Sequence, residues 1–174
     1  LISISQEDNT DAIYNKLVKE YTLNPDGSME LHLRKELKLL THFSFHRLFG
    51  ETFIVYDPSC QELKINEAYT VMADGKKVIA PSNAFNEVLP GFAANLPAYN
   101  HLREMVVTHT GLEVGATIFL DYTITSHPGQ VPYLMGNEAI GEIVPVKEMA
   151  VIVRVPKDVP LRHKMLNLRT APEI

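Results

Sequence analysis

An all-β fold is predicted, an antiparallel β-sandwich of immunoglobulin-like or larger two-sheet size with one short helix. Three observations predict it. Apolar and polar side chains alternate at period two along most of the 174 residues, the pattern of strands with one buried and one wet face. Asn24-Pro25-Asp26-Gly27 and Asp74-Gly75 are hairpin turn sequences lying between such runs,. Helical periodicity is confined to short pieces.

Taken in order, a strand over 14–23 meets a second over 28–40 through Asn24-Pro25-Asp26-Gly27, where Pro presets φ and Gly accepts φ > 0,. In the second strand Met29, Leu31, Leu33, Leu37 and Leu39 face one way and Glu30, His32, Arg34, Glu36 and Lys38 the other,. Lys35 breaks the apolar phase, so a bulge, or a strand end passing beyond the core, is expected there. Residues 41–50 carry Phe45, Leu48 and Phe49 at i, i+3 and i+4, with Thr41 as N-cap and Gly50 as terminator, a helix suited to plug one end of the sandwich,. Strands follow over 51–56, 63–73 and 76–80. A two-residue type I′ turn at Asp74-Gly75 pairs Val71 with Val78 and Tyr69 with Ala80 on one shared face. Further strands at 102–110, 116–125, 149–155 and 161–168 are consistent with about nine to ten strands in two packed sheets. Two long stretches do not read as strands: 81–100, which has Glu87 as its one charge, and 128–145, with a short helix near 137–141,.

Residues 1–156 are assigned to the sandwich and 157–174 to a strand or linker leading towards a following domain. The chain starts at Leu1 without an initiator Met, which suggests a segment of a longer protein or a mature form freed of its signal peptide. A formal charge of −5 from 16 basic and 21 acidic residues, without a block of one sign, argues against nucleic acid as a partner. The one cysteine excludes an intrachain disulfide, and no apolar run approaches the ~20 residues of a membrane helix. No phosphate loop, nucleophile elbow or dinucleotide fingerprint is present, so no cofactor is predicted.

The ordered motifs Asn24-Pro-Asp-Gly-Ser28, Tyr56-Asp-Pro58, Asn66-Glu-Ala68, Ala73-Asp-Gly75, Leu112-Glu-Val-Gly115 running into Asp121-Tyr122, and Pro145-Val146 before a strand ending at Pro156 resemble a domain-of-unknown-function family. That family sits directly N-terminal to a transglutaminase-like domain in secreted or periplasmic bacterial proteins, many of them from Bacteroidetes. The resemblance covers residues 14–156. It implies a β-sandwich and an extracytoplasmic setting, whether periplasmic, secreted or outer-membrane anchored. It also implies a parent of the transglutaminase-like cysteine-protease type, whose following domain is this domain's partner and carries the Cys/His/Asp triad. The apolar 81–100 stretch has no counterpart in the family pattern.

Candidate chemistry is sparse. Cys60, in Asp57-Pro-Ser-Cys-Gln-Glu-Leu63, has no His partner motif and reads as a structural thiol rather than a nucleophile. His42 and His46 share a helical face at i, i+4, but Phe43, Ser44 and Phe45 lie between them and no third ligand is evident, so no metal is predicted. Glu138, Glu142 and Asp121 read as solvated acids rather than a glycosidase pair. Phe85, Phe92 and Tyr99 recur every seven residues in the 81–100 stretch. Either the loop folds over an open edge of its own sandwich, or these rings anchor a contact with another domain or molecule. The expected function is a non-catalytic module that positions the following domain or presents substrate to it. The alternative is an independent carbohydrate- or peptide-binding module using Tyr56, Tyr69 and Tyr122, although the chain has no Trp for a sugar platform.

Overall fold

The computed structural model describes residues 10–130 and 134–166. Nine strands are present among them: β1 (Ala12–Leu23), β2 (Met29–Leu39), β3 (Glu51–Tyr56), β4 (Gln61–Val71), β5 (Lys77–Ile79), β6 (Phe85–Val88), β7 (Arg103–Thr108), β8 (Thr117–Ser126) and β9 (Met149–Arg154). They form a six-stranded sheet in the order β5-β4-β8-β2-β1-β9 and a three-stranded sheet in the order β3-β7-β6. This is the larger two-sheet sandwich of the sequence reading.

Both hairpin turns close in the same way. The Gly27 N–H donates to the Asn24 carbonyl at 3.0 Å and the Asn24 N–H to Ser28 at 2.9 Å; Gly75 to Met72 and Met72 to Lys76 are both 2.9 Å. Gly27 and Gly75 lie at φ +85° and +87°, the left-handed last position of a three-residue loop. The second loop is thus one residue longer than the two-residue turn expected, and the register moves with it. Val71 faces Lys77, Thr70 faces Val78 and Tyr69 faces Ile79. A one-residue slip exchanges the faces of a strand. Val78 therefore shares the face of buried Thr70, while Ile79 turns outward and is 71% exposed.

The small sheet covers only part of the large one, and the core divides accordingly. Between the sheets lie Ile54, Tyr56, Ala68, Val107, Leu120, Tyr122 and Ile124. Under β1 and β2 lie Ala12, Tyr14, Leu17, Leu37, Leu39 and Ile118, closed by Phe49 and Val144 rather than by strands. Leu33 packs against both groups. Phe49 follows the short helix expected over 41–50, which runs over 42–48 and ends as a π-helical turn, Ser44–Leu48. Thr41 Oγ1 does accept the Ser44 N–H, at 3.2 Å. Gly50 is required by close approach: a Cβ there would stand 2.4 Å from the Phe45 carbonyl oxygen.

Four expectations are corrected. Residues 137–141 are irregular instead of helical, and 161–166 form no strand, with 167 and 168 outside the described residues. The sheet is not wholly antiparallel, because β9 runs parallel to β1. A parallel partner needs a long crossover, to which the described residues 127–130 and 134–148 belong. Finally, no bulge occurs at Lys35. β2 runs in unbroken register against β8 from Met29↔Ser126 to Lys38↔Thr117, and the irregularities fall instead in β1 between Tyr14 and Lys16 and in β4 between Ile65 and Glu67. Lys35 keeps the apolar phase and points inward.

Candidate functional site

The 81–100 segment folds into 3-10 turns at Ser82–Ala84, Gly91–Ala93 and Pro97–Tyr99, with β6 as an edge strand between the first two. Pro90 and Ala93 are buried, and the Ala93 N–H bonds back to Pro90 at 2.8 Å, so the loop is anchored. The three aromatic residues separate. Phe85 packs with Ile65, Ala80 and Met105 against the inter-sheet core. Phe92 and Tyr99 meet edge to face, 5.9 Å apart at 79°, and stand 54% and 45% exposed beside exposed Leu89 and Leu96. Phe53, Val55 and Val88 are exposed on the outer face of the three-stranded sheet. The Tyr56 hydroxyl donates to Glu87. Burial, then that bond, raises the Tyr56 pKa to about 12.

Two polar groups lie on the inner face of the large sheet, and sequence spacing disclosed neither. Lys19 donates to Glu138 at 2.9 Å and lies 3.7 Å from Glu142, while the Tyr21 hydroxyl donates to Glu138. Glu138 and Glu142 are thus paired, half-buried groups that pin the crossover to the sheet, and the reading of them as solvated acids is corrected. Burial opposes ionisation of Glu138, but the bonds from Tyr21 and Lys19 outweigh it and hold its carboxyl below the usual range. The second group is a chain across the sandwich. Lys35 Nζ donates to Thr52 Oγ1 at 2.7 Å, and Thr52 Oγ1 lies 2.8 Å from His109 Nε2. With Thr52 donating, Nε2 accepts and the imidazole is neutral. Burial, with Lys35 adding, lowers the His109 pKa to about 3. Burial also lowers Lys35 to about 8, against the pull of Glu142. These residue types suit acid–base work, but a general base must reach its substrate, and His109 is only 6% exposed. The chain ties one sheet to the other.

Cys60 lies in the Asp57 turn, its N–H 3.1 Å from the Asp57 carbonyl. Its pKa is raised, first by burial and then by Asp57, which disfavours the nucleophilic thiolate. The His42 and His46 rings lie 6.4 Å apart, and no group of three metal-ligating side chains exists among the described residues. Asp121 lies 2.7 Å from His32 and accepts from Asn66 at 2.8 Å. Of the strand tyrosines, Tyr56 and Tyr122 point into the core. Tyr69 stacks on Phe119 at 4.7 Å, with Lys77 Nζ 3.5 Å from its ring centroid. None of the three presents an unencumbered ring for a sugar.

Residues 25–174 match the family described as Domain of Unknown Function with solved-structure structure, DUF3857. The chain belongs to the DUF3857 family. No curated protein matches this DUF3857 domain. It is similar to a crystal structure of a putative protease from Parabacteroides distasonis ATCC 8503, at 53% identity over 86% of the chain with a TM-score of 0.84. The chain spans 30% of that protein's length. A CBM3a-L domain with flanking linkers, from scaffoldin cipA of the Clostridium thermocellum cellulosome, aligns over 74% of the chain and 79% of its own at 11% identity. Its TM-score of 0.38 bears on neither fold nor ligand.

Proposed function

We propose that this domain is a non-catalytic β-sandwich module of an extracytoplasmic bacterial protein, placed before a transglutaminase-like, cysteine-protease-type domain. It docks that domain and positions it, or presents substrate to it. The observation that carries this reading is the exposed Phe92–Tyr99 pair, held on an anchored, almost uncharged segment beside exposed Leu89 and Leu96. Exposed apolar surface marks interfaces, and rigid aromatic residues are their usual anchors. The outer face of the three-stranded sheet adds exposed Phe53 and Val55. Two further facts support the reading: a protein described as a putative protease contains this domain's like within 30% of its length, and Cys60, its thiol pKa raised, and His109, only 6% exposed, are each placed against catalysis.

Hydroxyl-radical footprinting of the full-length parent and of this domain alone tests the docking. Phe92 and Tyr99 are expected to react several-fold more slowly in the parent. Equal reactivity in both would sink the docking reading. Separating periplasmic, secreted and cytosolic fractions of the native host tests the compartment, and recovery from the cytosol alone would overturn that part.

A further inference from the structure

The six-stranded sheet ends on two unlike edges. β5 is three residues long and carries Lys77, the short, charged kind of edge that resists further pairing. β9, at the other end, runs for six residues with no proline, no charge before Arg154 and no irregularity in its register. Its pairing fixes which backbone groups are free. The Leu17 N–H donates to the Glu148 carbonyl at 2.9 Å, and Leu17 lies opposite Met149. The backbone groups of Ala150, Ile152 and Arg154 therefore turn towards β1, and those of Met149, Val151 and Val153 turn away from the sheet. No described residue outside the strand bonds to these outward groups.

Such an edge takes an extended strand, and β9 fits itself. Laid antiparallel about a two-fold axis at Val151, it sets Met149 opposite the partner's Val153 and Val151 opposite the partner's Val151. This is the one antiparallel register in which the three outward residues of each copy meet and exchange both of their hydrogen bonds. The same register decides the charges, because Glu148 then falls opposite the partner's Arg154 at both ends. Glu148 lies 2.9 Å from Lys16 and Arg154 lies 2.5 Å from Glu20, yet both side chains remain 61% exposed. Their meeting joins Lys16, Glu148, the partner's Arg154 and the partner's Glu20 in alternating sign, with no like charges opposed. Hydrogen-bond direction and charge are independent, and they select one register.

We propose that β9 pairs antiparallel with β9 of a second copy of this chain, joining two six-stranded sheets edge to edge in a closed two-fold dimer. One strand from each copy makes this a small interface of the weak, reversible class. It uses another sheet and other residues than the Phe92–Tyr99 surface, and it stands or falls apart from the docking reading.

Sedimentation equilibrium of the 174-residue chain, loaded from micromolar to millimolar, is expected to show a reversible monomer–dimer equilibrium. Val153→Pro removes an outward N–H without touching the ladder to β1 and should weaken the dimer about tenfold. Glu148→Arg and Arg154→Glu each bring like charges together at both ends and should weaken it about tenfold or more, and the double swap Glu148→Arg/Arg154→Glu should restore it. A monomer at millimolar loading overturns the proposal, as does an undiminished dimer in Val153→Pro or a double swap that fails to rescue. A dimer lost in Phe92→Ser/Tyr99→Ser but kept in Val153→Pro puts self-association on the other sheet and also overturns it. In the full-length parent, hydrogen exchange at Val151 and Val153 should slow only as the dimer forms; slow exchange in the monomeric parent means that its own chain covers the edge, which again overturns the proposal. Circular dichroism melts confirm that each variant is folded, and the charge-swap set carries the test if Val153→Pro is not.

Discussion

Lys35 of β2 reaches across the sandwich to Thr52 of β3, with Nζ 2.7 Å from Oγ1. A lysine thus occupies a position whose strand neighbours on the same face, Leu33 and Leu37, belong to the apolar core, and its partner hydroxyl leads on to buried His109. A polar chain in an apolar interior makes stability depend on its complete satisfaction.

Breaking this chain in different places has opposite consequences. Lys35→Met removes the buried charge and leaves Thr52 and His109 to satisfy each other, so a gain of about 1–3 kcal/mol is expected. Thr52→Val strands both Lys35 and His109 and is expected to cost about 2–3 kcal/mol. In the Lys35→Met background that cost should shrink to about 1 kcal/mol, the non-additivity expected of one network. Urea unfolding of the two single variants and the double variant at neutral pH measures all three.

His109 carries an acid limb. Its pKa falls from 6.5 to about 3 on folding, so between those values the unfolded chain binds a proton that the folded one does not. Stability present above pH 6.5 is therefore lost as pH falls towards 3, by about 3–4 kcal/mol from this group. His109→Gln, which keeps an acceptor for Thr52, should flatten that limb. Unchanged acid unfolding midpoints would count against it.

Lys35 acts on the alkaline side. Its pKa falls from 10.5 to about 8 on folding, so the unfolded state holds the extra proton and stability rises as pH increases through that window. Above pH 10 the trend reverses, because burial keeps Tyr14, Tyr56 and Tyr122 protonated to about 12 in the folded state. Unfolding at pH 7.5 and 9.5 should show a rise of about 2 kcal/mol in the parent, absent from Lys35→Met.

Lys19→Met removes the cation between Glu138 and Glu142. The crossover then relies on the Tyr21 bond and on backbone bonds such as Tyr14 N–H to Pro145 at 2.9 Å. A loss of about 1–2 kcal/mol is expected, with hydrogen exchange in 134–146 accelerated more than in β2 or β8. Uniform acceleration across the domain would show that the strap has no local stability of its own.

Two glycines discriminate steric from conformational need. Gly27→Ala places a methyl in open space at φ +85° and should cost about 1 kcal/mol. At Gly50 the added carbon would meet the Phe45 carbonyl at 2.4 Å, so the turn must shift and the loss should exceed that of Gly27→Ala. Thermal melts of the two variants rank them.

Much of this architecture was legible in the chain itself. Period-two alternation located eight of the nine strands to within a few residues, because a strand between core and water repeats every second side chain. The first turn was readable from Pro25 and Gly27, whose backbone preferences are local. The second hairpin shows the limit. Asp74-Gly75 fits both a two-residue and a three-residue loop, and only the pairing of β4 with β8 as well as β5 decided that Val78 turns inward. The inner face of the large sheet was hidden for a related reason: Lys35, Thr52 and His109, like Lys19 and Glu138, lie far apart in sequence and meet only when two sheets and a crossover stack. Local pattern determined the sandwich and its turns. Tertiary structure decided the register of β5, the parallel placement of β9 and which charges are buried, because these depend on contacts between distant segments.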